Sequence, residues 1–363
     1  MTHTKRLIKG NEAIAMAAIE AGCRKYFAYP ITPQNEIPEY MAEHMPEVGG
    51  TFLQAESELA AINMVYGAAA AGERAMTSTS GPGYSLMLEG LSGIAAAEVP
   101  VVLAQVMRGG PGIGSLETAQ LDYFSATKGG GHGGYRNLVL AASSVQELFD
   151  LTQLAFHLAD RYRILVMLLV DGILGQIMEP LELRPLPESE LPELPPKIWA
   201  LTGMGKRGRQ NVLSTMLMRE GQVMEWHQRA AEKYRQIEER EVRLATHLWE
   251  DARIGIVAFG MMARVAETAI ELCREEGVPV GLLRPITLFP FCSDFIRQST
   301  AHIRRFLVAE VNLGQMVEDV RLAVEGRRPV DFVGRPTLPP PSMVVESIQK
   351  IWRELKDGET EER

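Results

Sequence analysis

Two carboxylates and one arginine have the chemistry to hold a ligand. Glu56 and Glu58 stand two residues apart, just ahead of an alanine-rich segment. They either stabilise the first turn of a helix or hydrogen-bond a ligand nitrogen, and their spacing fits both roles. Arg108 is followed by Gly109 and Gly110. These glycines leave room for a carboxylate or phosphate to reach the guanidinium, although an ordinary surface arginine fits the same pattern.

Each of these residues belongs to a polar turn that follows a short apolar segment. The turns are residues 29–33, 54–58, 77–83 and 107–112. In an open parallel sheet, ligands bind at the carboxyl ends of the strands. Four polar turns at one edge of such a sheet therefore predict a ligand site, although turns of this kind also satisfy helix N-termini.

The first half of the chain alternates short apolar segments with helical ones. Strands are predicted at 25–29, 51–54, 75–79, 99–106, 138–141 and 164–170, and helices at 34–45, 58–71, 84–97 and 145–162. Thr32 is expected to cap the first of these helices, with Pro33 at its first position. Strands that are apolar on both faces, each followed by a helix, indicate an α/β fold with a parallel sheet covered on both sides.

A different pattern separates this region from a second α/β region. Residues 179–197 contain six prolines and are expected to form an extended linker. Residues 219–253 are predicted to form a long charged helix that either contacts another subunit or packs on its own domain. The predicted domains are 1–185, a linker with this helix over 186–252, a second α/β domain over 253–350, and a charged tail over 351–363 that frays from residue 356.

Composition excludes several classes of function. The 363 residues carry 37 Lys and Arg against 46 Asp and Glu, and a chain without a basic block is a poor partner for nucleic acid or an anionic membrane. The apolar run 164–170 is far shorter than the roughly 20 residues of a membrane span. The N-terminus has no apolar signal core, so a cytoplasmic protein is expected.

The cysteines predict neither a disulfide framework nor a metal centre. Cys23, Cys273 and Cys292 are isolated, whereas iron–sulfur and zinc sites need closely spaced ligands. If the protein performs redox chemistry, its electrons must leave through another subunit.

Two further motifs are weak signals. Residues 203–208 match the G-x-G-x-x-G pattern, but no βαβ unit surrounds them, so a dinucleotide site is not expected. His132 lies among glycines and is more typical of a loop histidine than of a catalytic base.

Five motifs in chain order carry a resemblance to a known family. They are Gly-Asn-Glu-Ala at 10–13, Tyr-Pro-Ile-Thr-Pro at 29–33, Glu-Ser-Glu at 56–58, Thr-Ser-Gly-Pro-Gly at 79–83 and Arg-Gly-Gly-Pro at 108–111. Together they resemble the α subunit of 2-oxoacid:ferredoxin oxidoreductases, most closely the 2-ketoisovalerate (3-methyl-2-oxobutanoate) branch, with the 2-oxoglutarate branch close behind. Residues 283–291 and 310–315 resemble the family's second domain.

The resemblance implies a thiamine diphosphate enzyme that works only as a hetero-oligomer. The first domain would bind the cofactor's pyrimidine, and the second would resemble the C-terminal domain of transketolase. A partner β subunit would hold the diphosphate and Mg²⁺, while iron–sulfur clusters would lie on further subunits, including a γ-type subunit. The implied reaction is oxidative decarboxylation of a branched-chain 2-oxoacid with coenzyme A to acyl-CoA and CO₂, with electrons passed to ferredoxin.

The resemblance also assigns cofactor residues. Glu58 matches the glutamate that hydrogen-bonds the aminopyrimidine ring and favours the tautomer that deprotonates the thiazolium. Glu56 is the neighbour with which it could be confused. Thr32 matches a threonine close to the cofactor and the substrate carbonyl, and Pro30 and Ser80 are expected at the cofactor too. No metal ligand is expected in this chain.

The substrate is expected at Arg108, which matches the family's arginine that pairs with the oxoacid carboxylate. Leu116, Tyr123 and Phe124 would suit an apolar pocket and favour branched-chain substrates. The absence of Lys and Arg from residues 109–120 disfavours 2-oxoglutarate, which has a second carboxylate.

Three other functions stay open. One is a 2-oxoglutarate:ferredoxin oxidoreductase α subunit. Another is a transketolase-like or 2-oxoacid dehydrogenase component that feeds a lipoyl carrier. The third is a non-catalytic α/β subunit that binds a small carboxylic acid.

Overall fold

The computed structural model describes residues 5–187, 191 and 193–361. In the first part of the chain the elements are β1 (Lys5–Lys9), α1 (Gly10–Glu20), β2 (Lys25–Ala28), α2 (Glu36–His44), β3 (Thr51–Gln54), α3 (Glu58–Ala70), β4 (Ala75–Thr79), α4 (Gly81–Ala97), β5 (Val101–Met107), α5 (Tyr123–Thr127), β6 (Leu138–Leu140), α6 (Val145–Tyr162), β7 (Leu165–Asp171), α7 (Gly172–Gln176) and β8 (Met178–Glu182).

The second part of the described chain begins with a long helix and returns to alternating strands and helices. Its elements are α8 (Gln222–Arg240), β9 (Leu244–His247), β10 (Ile254–Val257), α9 (Gly260–Glu275), β11 (Val280–Pro285), β12 (Thr287–Phe289), α10 (Ser293–Ser299), β13 (Arg305–Glu310), α11 (Met316–Val324), β14 (Val330–Gly334) and α12 (Pro341–Glu361).

A seven-stranded sheet forms the centre of the first region. Its strand order is β12-β6-β7-β5-β4-β2-β3, and all its neighbours are parallel except β12, which runs antiparallel to β6. Every residue of β4, β5 and β7 is buried, and a separate apolar core lies on each face. The predicted parallel sheet covered on both sides is therefore confirmed.

A five-stranded sheet organises the second region, in the order β14-β13-β10-β11-β9. Its strands are parallel except β9, which lies antiparallel to β11 at one edge. The buried residues Val344, Ile348 and Ile351 of α12 belong to the core on one face of this sheet. No helix among the described residues is both long and apolar enough to cross a membrane.

Three predicted segments differ from the structure. The helix predicted over 219–253 ends at Arg240, because residues 244–247 pair as an edge strand with β11. Part of the predicted linker is a strand, β8, which pairs with β1; its Pro180 is accommodated because a two-stranded ribbon leaves one side of each strand free. The tail predicted to fray belongs to α12 as far as residue 361. The buried residues that hold this helix on the second region, Val344, Ile348 and Ile351, lie before residue 356.

The helix α8 packs on its own chain. Trp226 and Ile237 are buried, and the Trp226 indole donates to the carbonyl of Ala96 at 3.0 Å. Lys233 pairs with Glu98 at 2.5 Å, just beyond the end of α4. This helix is therefore amphipathic, with its buried stripe against the first region.

Polar contacts fix the two regions to each other. Gln120 is fully buried, donates from Nε2 to the Phe259 carbonyl at 3.0 Å, and accepts from the backbone N–H of Val311 at 3.1 Å. Asp171 lies at the end of β7 and accepts from the backbone N–H of Met261 at 2.6 Å, in the first turn of α9. The segment that follows β5 is thereby held by the second region.

Asp171 should make the stability of the chain depend on pH. Burial raises the pKa of this carboxyl to about 6, so between pH 4 and 6 the folded state holds more protons than the unfolded state. The free energy of unfolding therefore falls as pH rises through this window, by about 3 kcal/mol in total at 1.36 kcal/mol per pKa unit. Asp171→Asn can still accept from Met261 but does not ionise. We expect the free energy of unfolding of Asp171→Asn, minus that of wild type, to increase by up to about 3 kcal/mol between pH 4 and 7.

The measurement is urea unfolding of the full chain, wild type and variant, at pH 4.5, 5.5, 6.5 and 7.5. Glu325→Gln, an exposed carboxylate in the second region, serves as a control for the loss of one negative charge. Parallel pH profiles of wild type and Asp171→Asn would contradict the prediction.

Candidate active site

The four polar turns lie side by side. Strands β5, β4, β2 and β3 are consecutive and parallel in the seven-stranded sheet, so their carboxyl ends share one edge. The residues that follow them include Arg108, Ser80, Thr32 and Glu58. The predicted convergence of these turns is therefore confirmed.

Arg108 ties two of the turns together. It is 7% exposed, and its Nη1 donates to the Thr32 carbonyl while its Nη2 donates to the Ile113 carbonyl, both at 2.8 Å. Its Nε is buried without a partner. A guanidinium fixed at both ends, with an N–H left over, is prepared to bind an anion without reordering its side chain.

The turn that contains Thr32 is held rigidly from behind. The Pro33 carbonyl accepts from Asn11 Nδ2 and from Gln176 Nε2, each at 2.7 Å. The same two amides donate to Glu36 Oε2 at 2.8 and 2.9 Å. Although partial burial opposes ionisation, these hydrogen bonds hold the pKa of Glu36 below its ordinary value.

Thr32 does not cap α2, contrary to expectation. That helix begins at Glu36 with Asn35 before it, because residues 31–34 form a separate turn in which Gln34 N–H donates to the Ile31 carbonyl at 3.1 Å. The Thr32 hydroxyl accepts from Asn35 Nδ2 at 3.3 Å. Pro30 lies exposed at the start of this turn.

Glu58 lies at the beginning of α3, directly after its capping residue Ser57, whose hydroxyl accepts from Ala60 N–H at 3.1 Å. The side chain is 5% exposed and rests against the first turn of α4. A Cβ added to Gly83 would collide with Glu58 Oε1 and Thr79 Oγ1 and stand 2.9 Å from Glu58 Cδ. Glu56, by contrast, is exposed. Of the two carboxylates, Glu58 is the one directed into the sheet edge.

Some of the buried polar atoms that lack hydrogen-bond partners lie at this edge of the sheet. Thr79 Oγ1 and Ser80 Oγ are buried without hydrogen-bond partners, as is Arg108 Nε. Ser80 precedes α4 but makes no side-chain capping bond. Each such atom costs about 1–3 kcal/mol when buried and unpaired. A polar ligand bound at this edge of the sheet would supply the missing partners.

An open cleft of about 700 Å³ lies beside Arg108. Its lining residues are Ile31, Thr32, Pro82, Arg108, Ile113, Gly114, Ser115 and Leu116. Leu116 lines the cleft as expected, but Tyr123 and Phe124 do not. Tyr123 donates to Asp319 at 2.7 Å, and the Phe124 backbone N–H donates to Gln315 Oε1 at 2.9 Å. Both face the second region, because α5 turns the chain away from the cleft.

Two sequence profiles of one family match the chain. Residues 16–245 match "Pyruvate flavodoxin/ferredoxin oxidoreductase, thiamine diP-bdg", and residues 252–337 match "Pyruvate:ferredoxin oxidoreductase core domain II". Ketoisovalerate oxidoreductase subunit VorB of Methanothermobacter thermautotrophicus is 50% identical over 330 residues, which cover 91% of this chain and 92% of the relative. The chain belongs to the 2-oxoacid:ferredoxin oxidoreductases.

Other relatives of this family extend the comparison. The 2-oxoglutarate synthase subunit KorA of Methanothermobacter thermautotrophicus is 36% identical, with 90% of this chain and 93% of that protein covered. The solved 2-oxoglutarate:ferredoxin oxidoreductase of Magnetococcus marinus superposes with a TM-score of 0.86 at 27% identity over 95% of this chain, which spans 65% of that one. A split-gene transketolase shares the fold alone. It superposes with a TM-score of 0.60 at 15% identity, over 94% of this chain and 97% of the transketolase chain. The predicted family and α/β fold class are confirmed.

The residues at the sheet edge fit the thiamine part of the cofactor that the family profile names. Glu58 offers an acceptor for a ring nitrogen, Gly83 lets this carboxylate pack directly against α4, and the unpaired Thr79 and Ser80 hydroxyls can serve as further partners. Among the described residues, no group of three or more His, Cys, Asp or Glu side chains could hold a metal ion. Cys23, Cys273 and Cys292 are buried and free.

Several residues of this candidate site were not predicted from the sequence. Thr79 and Gly83 stand in the 79–83 motif, and Asn11 in the 10–13 motif, so a signal was present although it assigned these residues no role. Gln176 ends α7, the short helix that follows β7, and has no such signal. The pattern at 203–208 forms an isolated turn with the short helix Gly205–Arg207, and no strand precedes it over residues 193–202.

Proposed function

We propose that this oxidoreductase subunit supplies the pyrimidine half of a thiamine diphosphate site at which a branched-chain 2-oxoacid is oxidatively decarboxylated. The products are acyl-CoA and CO₂, with coenzyme A as acceptor and two electrons passed to ferredoxin. The observation that carries the proposal is the cleft beside Arg108, which joins one cation to an apolar wall at the same edge of the sheet as Glu58.

Arg108 binds the substrate carboxylate in this proposal. Its Nη atoms already donate to the Thr32 and Ile113 carbonyls, which leaves Nε and the remaining Nη hydrogens to bind the anion. Because those two bonds orient the guanidinium before substrate arrives, little side-chain entropy is lost on binding.

Glu58 binds the aminopyrimidine, with Thr32, Pro30 and Ser80 close to the cofactor. The bound cofactor supplies the nucleophilic carbon and the electron sink that decarboxylation requires. Burial of Glu58 against Gly83 excludes water from the carboxylate, which strengthens its hydrogen bond to a ring nitrogen. The Thr79 and Ser80 hydroxyls gain partners at the same time.

The other half of the site belongs to partner subunits. We propose that a β subunit binds the diphosphate and Mg²⁺, and that iron–sulfur clusters lie on it or on γ-type subunits. Two observations support this: the described residues offer no metal-binding cluster, and the relatives are named as subunits of larger oxidoreductases. We also propose that the domains divide near residues 185 and 252, and the second family profile begins at residue 252.

The cleft favours a branched-chain acid over 2-oxoglutarate. Arg108 is the only cation among the described residues that line it. A second carboxylate would therefore be desolvated without a partner, which is costly. The relative that is 50% identical is named for ketoisovalerate, whereas those named for 2-oxoglutarate are more distant.

The test is turnover by the complete complex, coexpressed with its partner subunits and loaded with thiamine diphosphate and Mg²⁺. Ferredoxin reduction is followed in the presence of coenzyme A and either 3-methyl-2-oxobutanoate or 2-oxoglutarate. We expect kcat/KM for the branched acid to be at least about 10-fold higher, consistent with desolvation of an unpaired charge. A preference for 2-oxoglutarate would overturn the assigned substrate.

A further inference from the structure

The segment after Arg108 folds into a tight hairpin at the mouth of the cleft. Gly109 and Ser115 form an isolated antiparallel bridge, and Ser115 N–H donates to the Gly109 carbonyl at 3.0 Å. Gly109 N–H in turn donates to the Glu117 carbonyl at 3.0 Å. Gly114 has a φ of 66°, and a Cβ there would collide with the Gly109 carbonyl. We call residues 109–117 the cleft hairpin.

The cleft hairpin is fixed at its tip and beyond its far end. Arg108 Nη2 donates to the Ile113 carbonyl at 2.8 Å. Beyond the hairpin, the Thr118 hydroxyl accepts from Ile173 N–H at 3.1 Å, and Gln120 is bound to the second region. The hairpin is therefore a preformed part of the site, held by the same arginine that we assign to the substrate carboxylate.

Two large apolar side chains project from the cleft hairpin into open space. Ile113 is 84% exposed and Leu116 is 64% exposed, yet both line the cleft. Their backbones are fixed, so neither side chain can fold away into the core. Covering each with an apolar group recovers about 25 cal/mol per Å² removed from water. Side chains presented in this way suit contact with an apolar substituent bound next to Arg108.

We propose that Ile113 and Leu116 are the residues that select the substituent of the 2-oxoacid. The inference rests on the proposed function, because it takes Arg108 as the anchor of the carboxylate. With the carboxylate held there, the apolar side chains that remain within the cleft are Ile31, Pro82, Ile113 and Leu116. The first two belong to turns that form the site itself, whereas Ile113 and Leu116 extend from a hairpin whose side chains can vary without altering those turns.

The role of Ile113 can be separated from that of its backbone. Its contact with Arg108 is made by the carbonyl oxygen, which every substitution at this position retains. Shortening the side chain therefore changes the apolar surface of the cleft and leaves the carboxylate anchor in place. The expected signature is a change in preference among 2-oxoacids, with little change in the KM for coenzyme A.

The experiment compares the complete, loaded complex in wild-type form and with Ile113→Ala, Leu116→Ala or Leu116→Arg. It measures kcat/KM for pyruvate, 2-oxobutanoate, 3-methyl-2-oxobutanoate and 2-oxoglutarate. We expect each alanine variant to lower the ratio of branched acid to pyruvate by about 10-fold or more. We expect Leu116→Arg to raise the ratio of 2-oxoglutarate to branched acid by at least a similar factor, because it places a cation beside the second carboxylate. Ile198→Ala and Leu322→Ala, at positions 73% exposed and outside the cleft, are the matched controls.

Unchanged kcat/KM ratios in all three variants would overturn the inference. An equal loss of kcat/KM for every oxoacid would also overturn it, because the cleft hairpin would then be a general positioning element. Because both side chains are largely exposed, the substitutions do not threaten folding. If wild type prefers an unbranched acid but the ratios still shift, the assigned substrate fails and the selecting role of the hairpin stands.

Discussion

Glu58→Gln should abolish turnover of the assembled complex while leaving assembly intact. The amide has nearly the same shape as the carboxylate, so it fits the space between Thr79 and Gly83. It lacks the charge that draws a proton to a neighbouring ring nitrogen, and positioned proton transfer contributes about 100- to 10,000-fold to rate. We expect kcat to fall by at least about 100-fold, measured as ferredoxin reduction with saturating oxoacid and coenzyme A.

Glu56→Gln provides the matched control, because it makes the same chemical change two residues away in an exposed side chain. It should leave kcat within about twofold of wild type, as a surface substitution does. Size-exclusion chromatography of both variant complexes checks assembly. Wild-type turnover by Glu58→Gln, or equal losses in the two variants, would remove Glu58 from its assigned role.

Arg108→Ala should raise the KM for the oxoacid on the order of 100-fold while changing the KM for coenzyme A little. Two charge-assisted hydrogen bonds to a carboxylate are together worth about 3 kcal/mol or more, and 1.36 kcal/mol corresponds to a factor of ten. The arginine also donates to the carbonyls of Thr32 and Ile113, so a fall in kcat is expected as well.

Arg108→Lys separates these effects because it keeps the positive charge and loses the planar fork. Its KM for the oxoacid should lie between those of wild type and Arg108→Ala. Arg321→Ala, an exposed arginine on α11, controls for the loss of one positive charge. Equal increases in KM for oxoacid and coenzyme A in Arg108→Ala would argue against a carboxylate anchor.

The arrangement of the site was predictable from the sequence because parallel sheets follow strong rules. Consecutive apolar strands separated by helices bring their carboxyl ends to one edge, so the chain order of the motifs is enough to place Thr32, Glu58, Ser80 and Arg108 there. Glycine and serine at the helix starts marked the same edge.

The rest depended on contacts between distant parts of the chain. Tyr123 and Phe124 follow Arg108 closely, yet their partners Asp319 and Gln315 lie nearly 200 residues further along. The end of α8 is set by the pairing of β9 with β11. A local sequence pattern does not predict this pairing, because the two strands are separated along the chain. The hydrogen bonds of Asn11 and Gln176 to Pro33 could not be predicted from the sequence either, because the position of an amide side chain in the sequence does not indicate its hydrogen-bond partner.

The short strand β12 has a consequence for how genes of this kind can be divided. Thr287–Phe289 lies within the second family profile but completes the sheet of the first by pairing with β6. A polypeptide that stopped near residue 251 would expose the backbone donors and acceptors of Leu138–Leu140 to solvent, and an open strand of this sort templates aggregation. If the two halves were separate chains, β12 would have to come from the second chain, so the first sheet would be complete only when the two chains assemble.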